Sequence, residues 1–200
     1  MKVFIVYAHP SKDSFTYKVK NEFVKGLLDA GHTYEISDLY EMHFNAEMSE
    51  VEYYREVNYN CNISVAEDII EEQTKINNSD AIVFIYPVFW TEAPAKLVGW
   101  FDRVWTYGFA YGERTMKKLR KALVLCVAGR TIDHLNKYGH LESMEKVMLG
   151  DRIIDRVIES KMIVLDGTSK ANMEQRTKNS SKHLKTAYDA GINLIKKDLY

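Results

Sequence analysis

Three short segments hold residue types that bind and orient small molecules. His9-Pro10-Ser11-Lys12-Asp13-Ser14-Phe15-Thr16 brings a histidine, a lysine and several hydroxyls to the expected start of a helix. Free backbone N–H groups and the helix dipole favour a phosphate there. The same hydroxyls also suit a plain helix cap, with His9 bonded locally, so the loop alone leaves both readings open. Pro87-Val88-Phe89-Trp90-Thr91-Glu92-Ala93-Pro94 places Phe89 and Trp90 where a polar strand-to-helix turn is expected, between two prolines that stiffen it. A rigid aromatic loop with free amides can meet the edge of a flat heteroaromatic ring, or can form an aromatic plug or a subunit contact. In Ala128-Gly129-Arg130-Thr131, Gly129 has no side chain to hold a ligand away, which is also what an ordinary turn uses.

These segments share a position: each follows one of the most apolar runs in the chain. Val3–Ala8, Ala81–Tyr86 and Ala122–Val127 are continuous runs of branched, aromatic and small apolar residues, the signature of strands buried on both faces. Met162–Leu165 repeats it in short form, and Tyr34–Asp38 alternates as a half-exposed edge strand does. Between the runs, Val19, Phe23 and Leu27 recur at helical spacing, as do Leu97, Phe101, Val104 and Trp105. Near the end, Leu184, Tyr188, Gly191 and Ile195 form an apolar stripe, with Lys182, Lys185, Asp189, Lys196 and Lys197 turned outward. Strands alternating with helices predict an α/β fold, a five-stranded parallel sheet with helices on both faces. Ligands of such a sheet bind beyond the carboxyl ends of the strands, near the point where strand order reverses. The stretch from Leu39 to about Val65, rich in tyrosine, glutamate and asparagine, is too long for a turn and predicts an ordered surface excursion.

Composition narrows the partners. The 200 residues suit a single domain, 1–200, and 27 basic against 28 acidic residues give no field that would draw nucleic acid or an anionic membrane. Neither a dinucleotide glycine fingerprint nor a phosphate-loop glycine-lysine motif is present, which argues against ordinary Rossmann dehydrogenases and P-loop NTPases. Cys61 and Cys126 are far apart, and neither is expected to be catalytic; no metal site is expected. Lys2 leads directly into a strand-like run with no leader pattern, and the apolar runs are too short to cross a bilayer, so the cytoplasm is the expected compartment.

Four stretches stand out together: Val6-Tyr7-Ala8-His9-Pro10 with Ser14-Phe15, then Ser37–Asn45, then Tyr86–Trp90 with Ala93-Pro94-Ala95, Leu97, Gly99–Val104 and Gly108–Tyr111, and finally Val127–Met144. In these the chain resembles the NAD(P)H:quinone oxidoreductase family of flavodoxin-like flavoproteins. The resemblance implies a flavodoxin-like sheet of order 2-1-3-4-5, bound flavin as FMN or FAD, NADH or NADPH as electron donor, and a homodimer with sites at its interface. It further implies hydride transfer through flavin N5 to a quinone-like, small-molecule acceptor. By that likeness His9, Ser14, Phe15 and Thr16 surround the flavin phosphate, and Pro87, Val88, Phe89, Trp90 and Thr91 line the isoalloxazine. Asp102 matches an acidic position near the cofactor, and Ala128, Gly129 and Arg130 approach its pyrimidine edge.

The last stretch departs from the family pattern. Val127 and Ala128 stand for two threonines, Arg130 for a second glycine, and Leu135 and Leu141 for the tyrosine and histidine thought to stabilise charge on reduced flavin. Arg130, Tyr138 and His140, with His134 beside them, are the replacement candidates; polar side chains at an exposed helix start are the commoner explanation for the last three. The altered loop keeps open a second class of function, a flavin-binding ancillary subunit in peripheral contact with a membrane transporter. A third is a one-electron carrier.

Overall fold

A computed structural model describes residues 1–171 and 173–194, so Ile195, Lys196 and Lys197 lie outside the described residues. The strands are β1 (Lys2–Tyr7), β2 (Thr33–Asp38), β3 (Ala81–Pro87), β4 (Leu119–Val127) and β5 (Val157–Leu165). All pair in parallel, in the order β2-β1-β3-β4-β5, as expected. The helices are α1 (Phe15–Asp29), α2 (Glu50–Val57), α3 (Glu67–Asn77), α4 (Ala95–Val104), α5 (Ile132–Lys137), α6 (His140–Glu145) and α7 (Met173–Ile192). α6 runs on into a π-helical stretch, Lys146–Ile153.

Register explains the two cores. Tyr7, Ile85, Leu125 and Ile163 stand side by side across the sheet, and this face is covered by Val19, Phe23 and Leu27 of α1 with Ala187 of α7. Val6, Phe84, Val124 and Met162 form the neighbouring row on the opposite face. There Leu97, Trp100, Phe101 and Val104 of α4 pack with Ile69 and Ile76 of α3 and Met148 of the π-helical stretch. Burying each such large side chain stabilises the fold by about 1.5–3 kcal/mol, so the apolar stripe of α4 fixes its position under β3 and β4. No helix among the described residues is long and apolar enough to cross a membrane.

β5 begins at Val157 rather than Met162, and β4 at Leu119 rather than Ala122. β5 is an edge strand whose first half is exposed: Ile158 through Lys161 face outward, so that segment carries no apolar signature.

The Leu39–Val65 excursion is ordered and contains α2, which Ser49 and Glu52 start with a reciprocal capping box. Arg103 of α4 holds it down, donating to Glu52 Oε1 at 2.8 Å, to Asp68 Oδ2 at 2.6 Å and to the Asn45 carbonyl at 2.8 Å. Arg55 continues the seam with bonds to the carbonyls of Ile63 and Tyr107.

Candidate functional site

The loops after β3, β4 and β5 enclose a cleft of about 650 Å³. Val88, Trp90 and Thr91 form one wall, Ala128 through Thr131 the floor, His134, Leu135 and His140 a second wall, and Ser169, Ala171 and Gln175 the far end. Among the described residues, no aspartate or glutamate lines it.

The floor is shaped by bonds beneath it. Thr168 donates from its N–H and Oγ1 to the Ala128 carbonyl at 3.1 and 3.0 Å, and Gly167 N–H donates to the Arg130 carbonyl at 3.0 Å. With the carbonyls drawn into the β5 loop, the N–H groups of Gly129, Arg130 and Thr131 have no acceptor among the described residues. A Cβ at Gly129 would meet Ser169 only at 3.7 Å, an ordinary contact, so packing does not require glycine there. Asp166 accepts the Ile132 N–H at 2.8 Å and fixes the start of α5.

The aromatic wall is a strained two-residue turn. Phe89 and Glu92 exchange backbone hydrogen bonds of 2.8 and 2.9 Å, and between them Trp90 and Thr91 hold φ of 52° and 68°. Two successive left-handed residues are what a type I′ turn needs, and glycine or asparagine is its usual occupant. Each non-glycine residue there costs about 1–2 kcal/mol. Val88 N–H remains bonded to the Val127 carbonyl at 2.8 Å, whereas the N–H groups of Trp90 and Thr91 find no acceptor among the described residues. Trp90 is fully exposed on the ridge between the cleft and a shallower groove formed with Ala46, Ala95 and Val98. Asp102 is exposed on α4 in that groove and outside the cleft; Pro87 is buried at the end of β3.

His9, Ser14, Phe15 and Thr16 lie at the end of β1, off the cleft lining. Ser14 caps α1 by accepting the Tyr17 N–H at 3.0 Å, and His9 Nδ1 accepts the Ser11 N–H at 2.9 Å, which leaves Nε2 as its donor. Both local roles foreseen for these side chains are therefore present. Tyr7 lies beside this helix start. Its hydroxyl is buried near Ser14, yet no hydrogen-bond geometry joins it to any described residue, and burial raises its pKa well above the usual tyrosine value. Thr16 is buried, while Phe15 packs against His183 of α7 with ring centres 6.4 Å apart. His183 Nε2 in turn lies 2.8 Å from the Asp166 carbonyl, linking the α1 start to the cleft floor.

His134, Tyr138 and His140 form one aromatic cluster on the second wall. Ring centres are 4.8 Å apart for His134–Tyr138 and 5.8 Å for Tyr138–His140, the latter pair stacked. His134 and His140 line the cleft and Tyr138 is exposed beside them; Leu135 lines it too, and Leu141 does not. The Arg130 guanidinium makes no ion pair or hydrogen bond among the described residues. Cys126 is buried, and burial pushes its thiol up to about 12, so it stays protonated and inert. The sequence reading missed Asp166, Ser169 and His183. The signal was available, since Asp166-Gly167-Thr168-Ser169 follows a strand at the same end of the sheet.

The site suits a flavin on its own evidence: a cleft free of carboxylates, five uncommitted amides on its rim, an exposed aromatic wall, and an orphaned buried hydroxyl beside a helix start. The chain is also similar to known proteins. A solved NAD(P)H:quinone oxidoreductase from Methanothermobacter marburgensis superposes with a TM-score of 0.91 and 45% identity, covering 98% of each chain. Human ribosyldihydronicotinamide dehydrogenase [quinone] is 32% identical over 156 residues, 69% of this chain and 68% of that protein. Rat NAD(P)H dehydrogenase [quinone] 1 is 34% identical over 128 residues, 58% of this chain and 47% of that protein, so the chain spans only about half of that relative. A family model for the flavodoxin-like fold matches residues 1–187, and with these likenesses it places the chain in the flavodoxin-like family that includes the NAD(P)H:quinone oxidoreductases.

Proposed function

We propose that the chain is a flavin-dependent NAD(P)H oxidoreductase that passes two electrons as a hydride to a quinone-like acceptor. The observation that carries this reading is the carboxylate-free cleft with its rim of free amides, in a chain 45% identical to a quinone oxidoreductase over nearly its whole length. A bound flavin, FMN or FAD, supplies the hydride-accepting and hydride-donating chemistry.

The chain's own residues do the binding and orienting. The α1 start with Ser14, Phe15, Thr16, His9 Nε2 and the Tyr7 hydroxyl receives the phosphate. The amides of Trp90, Thr91, Gly129 and Arg130 hold the heteroatom edge of the ring, with Pro87, Val88 and Phe89 stiffening that wall and Ala128 under it. Arg130 adds a permanent positive charge that favours a reduced, anionic ligand. His140 and Tyr138, steadied by His134, hold a proton at a ring nitrogen and a hydroxyl on the open side, in place of the side chains missing at Leu135 and Leu141. A second copy of the chain covers the Phe89–Trp90 ridge and the groove containing Asp102.

The purified protein is expected to be yellow, to bleach when NADH or NADPH is added without oxygen, and to regain colour with a quinone. Arg130→Ala should slow bleaching about tenfold or more and shift the flavin potential. A colourless protein that neither FMN nor FAD reconstitutes removes the reading; an unchanged potential and rate in the variant removes Arg130 from it.

A further inference from the structure

Arg152 lies outside the cleft lining and still joins its two walls. Its Nη1 donates to Glu92 Oε1 at 3.0 Å, its guanidinium sits 5.0 Å from the centre of the Phe101 ring, and its carbonyl accepts the Trp105 indole N–H at 2.7 Å. Arg152 belongs to the helical run that begins at His140, on the second wall. Glu92 closes the strained turn on the first wall, and its Oε1 also accepts the Ala93 N–H at 2.7 Å. Among the described residues, no other side chain of Phe89 through Glu92 is hydrogen-bonded. Consecutive left-handed non-glycine residues persist only where their surroundings over-determine them. The turn's own two backbone bonds fix its width, and the bond from Arg152 to the Glu92 carboxylate is the one side-chain hydrogen bond among the described residues that ties Phe89 through Glu92 to another element.

We propose that the Arg152–Glu92 pair is a positioning device: it keeps Trp90 and Thr91 left-handed at the mouth of the cleft and fixes that wall relative to His140. The ligand then enters a preformed slot and does not have to organise one. The consequence for cofactor affinity rests on the flavin reading above; the effect on the turn does not. The Glu92 side chain is 42% exposed and that of Arg152 13%, so solvent screens the pair only on the Glu92 side, and the urea midpoint is followed alongside to separate its loss from unfolding.

The test uses the full chain, with and without FMN. In Glu92→Gln and in Arg152→Met, which keeps a long side chain against Phe101, the Cα and Cβ chemical shifts of Trp90 and Thr91 should leave the left-handed range. The FMN dissociation constant should rise about tenfold, and the urea midpoint should stay near that of the wild type. Arg152→Lys should restore most of both. Wild-type shifts in Glu92→Gln or Arg152→Met overturn the proposal, and so do altered shifts with wild-type FMN affinity. Should the wild type bind neither FMN nor FAD, the flavin reading falls, and the chemical shifts alone decide whether the pair positions the turn.

Discussion

On the proposed reading, His9 serves packing and binding together. Partial burial pulls its pKa below the ordinary value of 6.5. The unfolded chain therefore takes up the proton first as pH falls, and stability present above 6.5 declines below it. An anion at the α1 start reverses the trend by favouring the imidazolium. In a proton NMR titration, the His9 midpoint should lie below 6.5 in the free protein and move up when FMN or inorganic phosphate is added; an unmoved midpoint would separate His9 from the phosphate. His9, Trp90 and Gly129 could be picked out as candidates from residue type and from their place after apolar runs. Asp166 and His183 could not be recognised as partners, because their contact joins a loop to a helix seventeen positions later in the chain. The orphaned Tyr7 hydroxyl was equally hidden, for a tyrosine at the end of a buried strand looks like any other core residue.

Helix pairing shows the same division. α1 and α7 cross where Gly26 and Gly191 face each other's helices: a Cβ on Gly26 would strike the Tyr188 carbonyl, and one on Gly191 the Phe23 carbonyl. Both obstacles are backbone, so neither can swing aside. Gly191→Ala should push the helices apart and destabilise the fold by about 1–3 kcal/mol, read as a lower urea midpoint; wild-type stability would mean that the α7 packing is looser than it stands here. Gly191 was visible in the sequence as a member of the apolar stripe, but its need to be glycine was not, since close approach is a property of two helices. The buried strands β1 and β3 were legible almost to the residue because both faces are covered. β5 was cut short because its exposed half, Ile158 to Lys161, obeys no apolar pattern.

At the scale of the molecule, the ridge of Phe89 and Trp90 beside the Ala95–Val98 surface is an exposed apolar face that a second copy is proposed to cover. Sedimentation equilibrium should give twice the chain mass. Ala95→Glu, which buries a charge in the apolar surface that the second copy is proposed to cover, should weaken the pair at least about tenfold; a wild type of single-chain mass would sink the dimer. Seen whole, the five-stranded parallel sheet and the end of it that carries the cleft followed from patterning and the strand order from the family resemblance, while the departures at Val127, Ala128 and Arg130 made the third loop look doubtful. The structure explains why those departures are tolerable. The donors around the cleft floor are main-chain groups, presented because the Ala128 and Arg130 carbonyls are tied to Thr168 and Gly167. Every residue except proline supplies such a donor. On the proposed reading, side chains on this loop can therefore change without removing those donors, and the charge at position 130 can be retuned while the same amides remain on offer. Proline at 129, 130 or 131 is the one change that this freedom does not extend to.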